Sequence, residues 1–177
     1  MANPSALIVP LKTISVFPGW SDPEPDDYAW FNAPLEIGGV TEPGFVLHGG
    51  CYIGRPDQNV SLELRISRTP GRKVRPLERI DWRSLKGGHT NATRRGLPSG
   101  VSGRRVPATH LHAFELNYLP GEGRMRAHDL PYAAEIEEDL DSFESLRKYA
   151  GIRFRINNIT VVTPPPWEYK LFSGDRG

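Results

Sequence analysis

The chain has 177 residues, a formal net charge of +1 and a hydrophobic fraction of 38%. A domain near this length buries roughly 70% of its unfolded-state surface, so we expect one domain over residues 1–177 with its own core. The single cysteine excludes an intramolecular disulfide. No apolar stretch approaches the ~18 residues of a membrane span, and the first residues lack a basic leader, which predicts a cytoplasmic protein with no membrane partner.

The first third of the chain predicts short strands. Residues 6–17 are apolar and β-branched but broken by two prolines, which indicates one or two short strands, and the acidic, proline-rich residues 21–27 predict a loop. Residues 44–53 read as strand, turn and strand. Residues 60–66 alternate apolar and polar side chains and predict a strand with one buried face.

The middle of the chain predicts a hairpin, a loop and a further strand. Pro70 and Gly71 predict a turn that reverses the chain into a strand at 73–82 with a basic outer face. Residues 85–107 show neither helical nor strand periodicity and predict a flexible basic loop. Residues 106–119 resume an alternating strand pattern, with His110, His112, Phe114, Leu116 and Tyr118 on one face.

The last third contains the only strong helix signal. Residues 139–150 carry an apolar stripe, Asp141 and Glu144 have the spacing of a capping box, and Gly151 predicts the end of the helix. Residues 152–162 predict a strand. The proline-rich tail 164–177 must be extended, and its three large rings, Trp167, Tyr169 and Phe172, are expected to dock on the body or on a second subunit.

These elements predict an α+β fold: a mostly antiparallel β-sheet or a small, partly open barrel with one substantial helix near residues 139–150. The apolar positions of the predicted strands and helix give the expected core. Its members are Val60, Leu62, Leu64, Ile66, Phe114, Leu116, Phe143, Leu146, Phe154 and Ile156.

The charges are unevenly distributed. Residues 61–108 hold twelve Lys and Arg against three acids, an excess of nine positive charges in a nearly neutral chain. Such a block favours a polyanion, nucleic acid above all, or an acidic protein surface as partner. The predicted partner-binding residues are Arg72, Lys73, Arg75, Arg83, Arg94, Arg95, Arg104 and Arg105.

Histidines lie within and beside this block and suggest two kinds of chemistry. Hydrolysis of RNA at a 2′-hydroxyl needs a base, an acid and a cation, which His89, His112 and His110 with Lys86 supply near neutral pH. This predicts a metal-independent RNase of the kind found among small bacterial toxins, with no cofactor.

The alternative chemistry uses a divalent metal. Histidines two apart on a strand project from one face, so His110 and His112 could share an ion with His128 or His89, and with Glu115 or Asp129 as carboxylate. The order Gly103, His110, His112, Glu115 and Gly121 resembles the first motif of the cupins, although the spacing from His112 to Glu115 departs from that pattern and no second motif follows.

Three functions therefore stand open. The first is a nucleic-acid-binding protein with RNase activity, and the second is a metal-dependent hydrolase or oxygenase-like enzyme built on the His-x-His pair. The third is a non-enzymatic binding or inhibitor module whose basic loop docks an acidic protein surface or a nucleic-acid complex. In each case we expect the site where the loop at 86–105 faces the strand that carries His110 and His112.

Overall fold

The computed structural model describes residues 4–67, 74–98, 100–127 and 129–169. The predicted α+β class is confirmed, with an open antiparallel sheet rather than a closed barrel. The sheet contains β1 (Lys12–Ile14), β2 (Tyr28–Ile37), β3 (Val40–Tyr52), β4 (Val60–Ile66), β5 (Arg75–Trp82), β6 (His110–His112) and β9 (Ala134–Glu135). These seven strands hydrogen-bond in that order, each antiparallel to its neighbour. A separate hairpin joins β7, Tyr118–Leu119, to β8, Arg124–Met125.

The described residues also form two short helices and one long helix. They are α1 (Ser5–Ile8), α2 (Phe114–Asn117) and α3 (Phe143–Phe154), with 3₁₀ turns at Pro120–Glu122 and Ile159–Val161. The predicted strand at 60–66 and the hairpin partner that follows it are confirmed as β4 and β5. The predicted turn at Pro70 and Gly71 lies outside the described residues.

The long helix is displaced from its predicted bounds. Ser142 rather than Asp141 caps it, because the Ser142 hydroxyl accepts from the Ser145 N–H while the Ser145 hydroxyl accepts from the Ser142 N–H. The helix passes through Gly151 and ends at Phe154. Glycine is needed at position 151 because of packing and not to end the helix, since a Cβ there would lie 2.5 Å from Cγ2 of Ile159. The predicted strand at 152–162 is therefore wrong.

The first predicted strand also forms differently. Residues 6–17 give one helical turn and the three-residue β1. The Lys12 side chain is fully buried and donates to the carbonyls of Ile8, Pro10 and Phe154, at 2.7, 2.8 and 3.0 Å. This interior ammonium ties the start of the chain to the end of α3. At 44–53 the expected turn is absent, and β3 runs through without a break.

Of the strand predicted at 106–119, only His110–His112 and the two-residue β7 form. Residues Phe114–Asn117 form α2, in which Phe114 stacks on Tyr118 with ring centroids 4.6 Å apart, the i to i+4 contact of a helical turn. The core prediction holds, since nine of its ten members are buried and Leu116 is half-buried against the others. The tail docks through Trp167, whose ring lies 6.0 Å from that of Phe143, whereas Tyr169 is exposed and Phe172 lies outside the described residues.

Candidate functional site

Polar side chains form two parallel rows across the face of the sheet opposite the core. Strand registers align one row as Asn32, His48, Glu63, Arg79 and His112. The second row is Trp30, Gly50, Ser61, Asp81 and His110. Directly paired residues of neighbouring strands project to the same side, so these ten positions define one surface, called here the outer face.

The outer face is less basic than the sequence predicts. On β4 the Glu63 carboxylate accepts from Arg65 at 2.5 Å, and on β5 the Asp81 carboxylate accepts from Arg79 at 2.9 Å. Each arginine is thus matched by an acid two residues away. The expectation of a basic outer face on this hairpin is wrong, because the chain alternates both signs of charge on the same side.

A cluster of three imidazoles closes one end of the rows. The ring of His89 lies 5.0 Å from that of His110 and 5.3 Å from that of His112, and the two strand histidines approach to 3.1 Å between their Nε2 atoms. One potential ligand nitrogen from each of the three lies within 4.8 Å of the others. The structure thus brings together the loop histidine and the two strand histidines.

Backbone carbonyls fix the orientation of both strand histidines. Nδ1 of His110 donates to the carbonyl of Pro107 at 2.7 Å, and Nδ1 of His112 donates to the carbonyl of Leu130 at 2.5 Å. A carbonyl can only accept, so both Nδ1 atoms carry hydrogen and both Nε2 atoms point into the cluster. This anchoring of one ring nitrogen while the other is presented inward is the usual arrangement of metal-binding histidines.

Backbone pairing between the two ends of the loop at 85–107 holds the third histidine, His89, in place. The carbonyl of His89 accepts from the N–H of Val106 at 2.8 Å, and Thr90 pairs with Arg105 in a β-bridge. Asn91 anchors this base: its side chain donates to the carbonyls of Val101 and Ala133 at 3.0 and 2.8 Å. Residues 85–107 are therefore not simply a flexible loop, since their base is a paired structure.

His89 Nε2 is a buried nitrogen without a hydrogen-bond partner among the described residues. A buried polar atom of this kind requires an explanation, because leaving it unpaired costs roughly 1–3 kcal/mol. Burial also lowers the pKa of His89 and of His112 below the ordinary 6.5; Asp81 opposes this shift at His112, while the charge of Arg79 and the neighbouring histidines add to it at both rings. Both rings are thereby biased toward the neutral form that binds metals.

An aspartate and an arginine complete the cluster. Asp81 Oδ2 lies 3.3 Å from His110 Nε2 and 3.2 Å from His112 Nε2, and Arg79 donates through Nη2 to His112 Nε2 at 2.8 Å. Burial by itself raises the pKa of Asp81, but the adjacent His110 and His112 and the charge of Arg79 outweigh it and hold that pKa well below its ordinary range. Asp81 therefore stays ionised.

The atom spacing fits a small cation. Ligands about 2.0–2.1 Å from a zinc ion with tetrahedral angles are about 3.3 Å apart. His110 Nε2 and His112 Nε2 lie 3.1 Å apart, which is close to that ligand spacing, and Asp81 Oδ2 lies beside them at 3.3 and 3.2 Å. Neutral imidazoles suit zinc, iron, copper and nickel, and the adjacent carboxylate offsets part of the ion's charge.

Access to this cluster is narrow. His110 and His112 are each 3% exposed, and His89 at the rim is half-buried. Two catalytic histidines that act directly on an RNA phosphodiester must touch it, so the acid–base hypothesis requires the covering segments to move. Lys86, the cation of that hypothesis, is exposed and has no ion pair among the described residues.

The predicted partner-binding residues divide into groups. Arg75, Arg94, Arg95 and Arg105 are exposed, and Arg104 is exposed while lying 3.3 Å from Glu135 on edge strand β9. Arg83 instead makes contacts within the fold: its guanidinium lies 4.6 Å from the centre of the Trp82 ring and donates to the Asp141 carbonyl at 2.8 Å. Arg72, Lys73 and the alternative metal ligand His128 lie outside the described residues.

The carboxylates considered from sequence are not the ones at the cluster. Glu115 lies on α2 and binds Arg153 at 2.6 Å, so the resemblance to the cupin motif does not extend to a shared ligand set, and Asp129 is exposed. Asp81 and Arg79 are not among the site residues predicted from the sequence. The sequence does indicate that both residues share the outer face, because they alternate with the apolar Ile80 and Trp82. Only the register between β5 and β6 places them beside the histidines.

Two large rings, those of Trp82 and Tyr118, belong to the core. Trp82 is fully buried and donates from Nε1 to the Leu140 carbonyl at 2.8 Å, and Tyr118 is 7% exposed. Neither ring can meet a ligand on the surface.

Among the described residues, no helix has the length and apolar character needed to cross a membrane. Comparisons with protein-family models, curated proteins and solved structures found no match to this chain.

Proposed function

We propose that the chain is a metal-dependent hydrolase whose divalent ion is bound by His89, His110 and His112. The observation that carries the proposal is the convergence of three imidazoles, two with Nδ1 fixed by a carbonyl and the third with a buried, unpartnered nitrogen. A simple core histidine needs one satisfied hydrogen bond on each polar atom. Three rings whose nitrogens converge, one of them without a hydrogen-bond partner, favour a shared cation.

An ion held by His89, His110 and His112 would supply Lewis-acid chemistry, the activation of a water molecule as a nucleophile near neutral pH. Asp81, ionised and within 3.3 Å of two ligand nitrogens, would orient or accept a proton from that water. Arg79 would release His112 Nε2 when the metal enters and keep its bond to Asp81, leaving a positive charge beside the reacting group.

The substrate class is a phosphodiester or another polyanion. Support comes from the exposed arginines of the loop, since Arg105 pairs through its backbone with Thr90, the residue after His89. Loop charge of this kind concentrates anionic substrates near the histidines and makes binding depend on salt.

The test is metal titration of the tag-free protein after chelator treatment. We expect one Zn²⁺ or Co²⁺ per chain, and a loss of affinity of at least tenfold in His89→Ala, whose half-buried ring can be removed without opening the core. The matched control is His48→Gln, because His48 is a buried outer-face histidine two strand pairings from Arg79 and outside the cluster. Wild-type protein that binds no ion, or equal affinity in His89→Ala, would overturn the proposal.

A second candidate function is non-catalytic binding by the loop. The observation in its favour is that Arg94 and Arg95 are exposed on a loop whose base is fixed by Asn91. In this case Arg94→Glu with Arg95→Glu abolishes binding to RNA or to an acidic partner, whereas His89→Ala leaves binding intact. A metal-dependent hydrolase instead loses cleavage of single-stranded RNA in His89→Ala while retaining its salt-dependent binding.

A further inference from the structure

The other end of the outer face contains a shallow depression of about 350 Å³. Its lining comes from three adjacent strands, β2, β3 and β4, and consists of Tyr28, Trp30, Asn32, His48 and Arg65. Two aromatic rings, an amide, an imidazole and a guanidinium thus surround one open space. Aromatic rings beside an arginine are the combination that stacks bases and contacts phosphates in single-strand binding proteins.

The aromatic rings are held in place. Trp30 donates from Nε1 to the Glu24 carboxylate at 3.1 Å, and its ring lies at 25° to that of His48, 6.5 Å away between centroids. Tyr28 lies across Gly50, where a Cβ would come within 1.9 Å of the tyrosine hydroxyl. The glycine is therefore what allows the Tyr28 ring to rest on the sheet, and both rings present fixed faces at low entropic cost.

The polar groups of the depression are also positioned by contacts. His48 Nδ1 lies 3.0 Å from Asn32 Oδ1, so the amide oxygen fixes the imidazole. Burial and the nearby charge of Arg65 lower the pKa of His48 to about 3, which leaves the ring neutral at physiological pH. Arg65 is oriented by its ion pair with Glu63 and stays 28% exposed at its side chain, so it is the cation of the depression.

The depression and the histidine cluster lie on one surface. The second row of the outer face runs from Trp30 through Gly50, Ser61 and Asp81 to His110. Four strand spacings of about 4.8 Å separate Trp30 on β2 from His110 on β6, a span of about 19 Å. Stacked nucleotides advance about 3.4 Å each along a strand, so roughly six nucleotides cover this distance.

We propose that the depression stacks one base of a single-stranded nucleic acid on Trp30, with the strand continuing across β4 and β5 to the histidine cluster. The inference rests on the nucleic-acid part of the proposed function and names the substrate form. A double helix is excluded from this mode of binding, because its bases are paired and stacked on one another and cannot meet the indole face.

The test measures binding of fluorescein-labelled oligonucleotides of two to ten nucleotides. We expect Trp30→Leu to weaken binding about 5- to 150-fold, the range found for loss of one base–aromatic stack, and Trp30→Phe to retain most of the affinity. Affinity should rise steeply once the strand exceeds about six nucleotides, since the loop arginines then come into reach. Tyr169→Leu is the control, because Tyr169 is 66% exposed and outside the depression.

Three results would overturn the inference: unchanged affinity in Trp30→Leu, equal binding of duplex, or equal binding of an abasic strand. Zinc titration of the same variants separates this inference from the metal proposal. If Trp30→Leu binds zinc normally but oligonucleotides weakly, both stand. If wild-type protein binds oligonucleotides through Trp30 but no zinc, the stacking subsite stands and the metal centre is wrong.

Discussion

Asn91 joins the basic loop to the body of the protein, and its replacement by alanine tests how firmly the third histidine is held. The 2% exposed side chain makes three hydrogen bonds, donating to the carbonyls of Val101 and Ala133 and accepting from the N–H of Ala133 at 3.0 Å. At about 1 kcal/mol each, Asn91→Ala should reduce the free energy of unfolding by about 3 kcal/mol, and by more if the orphaned groups stay dry. That is a large part of the 5–15 kcal/mol typical of a domain.

The assay is urea denaturation followed by tryptophan fluorescence, combined with limited trypsin digestion. We expect a lower midpoint with an unchanged m-value, and faster cleavage after Arg94 and Arg95 in the released loop. Asn117→Ala is the matched comparison, since that fully buried amide makes the equivalent three bonds to Ala113 and Tyr132 but lies outside the loop. A loss below about 1 kcal/mol in Asn91→Ala, with a full loss in Asn117→Ala, would refute the reasoning.

Two further predictions concern acid stability and the tail. Because the pKa of His48 is about 3 in the folded protein and near 6.5 when unfolded, the unfolded state takes up the proton first as pH falls. The free energy of unfolding should drop by about 2 kcal/mol between pH 7 and pH 5 from this group alone. Urea denaturation midpoints should show this drop in the wild type but not in His48→Gln. Equal acid sensitivity in the two proteins would contradict the prediction. Trp167→Ala should lower the free energy of unfolding by about 2 kcal/mol, since the half-buried indole packs on Phe143, and a melting temperature unchanged from wild type would mean that the tail contributes no packing.

Local patterns in the sequence determine those parts of the fold whose signal is periodic. Strand β4 was predicted with its bounds because Val60, Leu62, Leu64 and Ile66 bury one face of the sheet, and a slip of one residue would expose all four. The existence of the long helix followed from its apolar stripe. The end of the helix could not be predicted in this way. Gly151 locally indicates a helix end, but glycine is needed there because Ile159, eight positions onward, packs closely against it.

The histidine cluster shows the same division between local and tertiary information. The sequence determines that His110 and His112 share a face, since alternate residues of a strand always do. Only the tertiary structure decides that Arg79 and Asp81 lie opposite them, because register between β5 and β6 depends on 27 intervening residues whose loop closes by the Asn91 contacts. Burial of both histidines is likewise a tertiary result. It arises because the carbonyls of Pro107 and Leu130, from segments on either side of β6, must find donors in the interior, and the two imidazoles provide them.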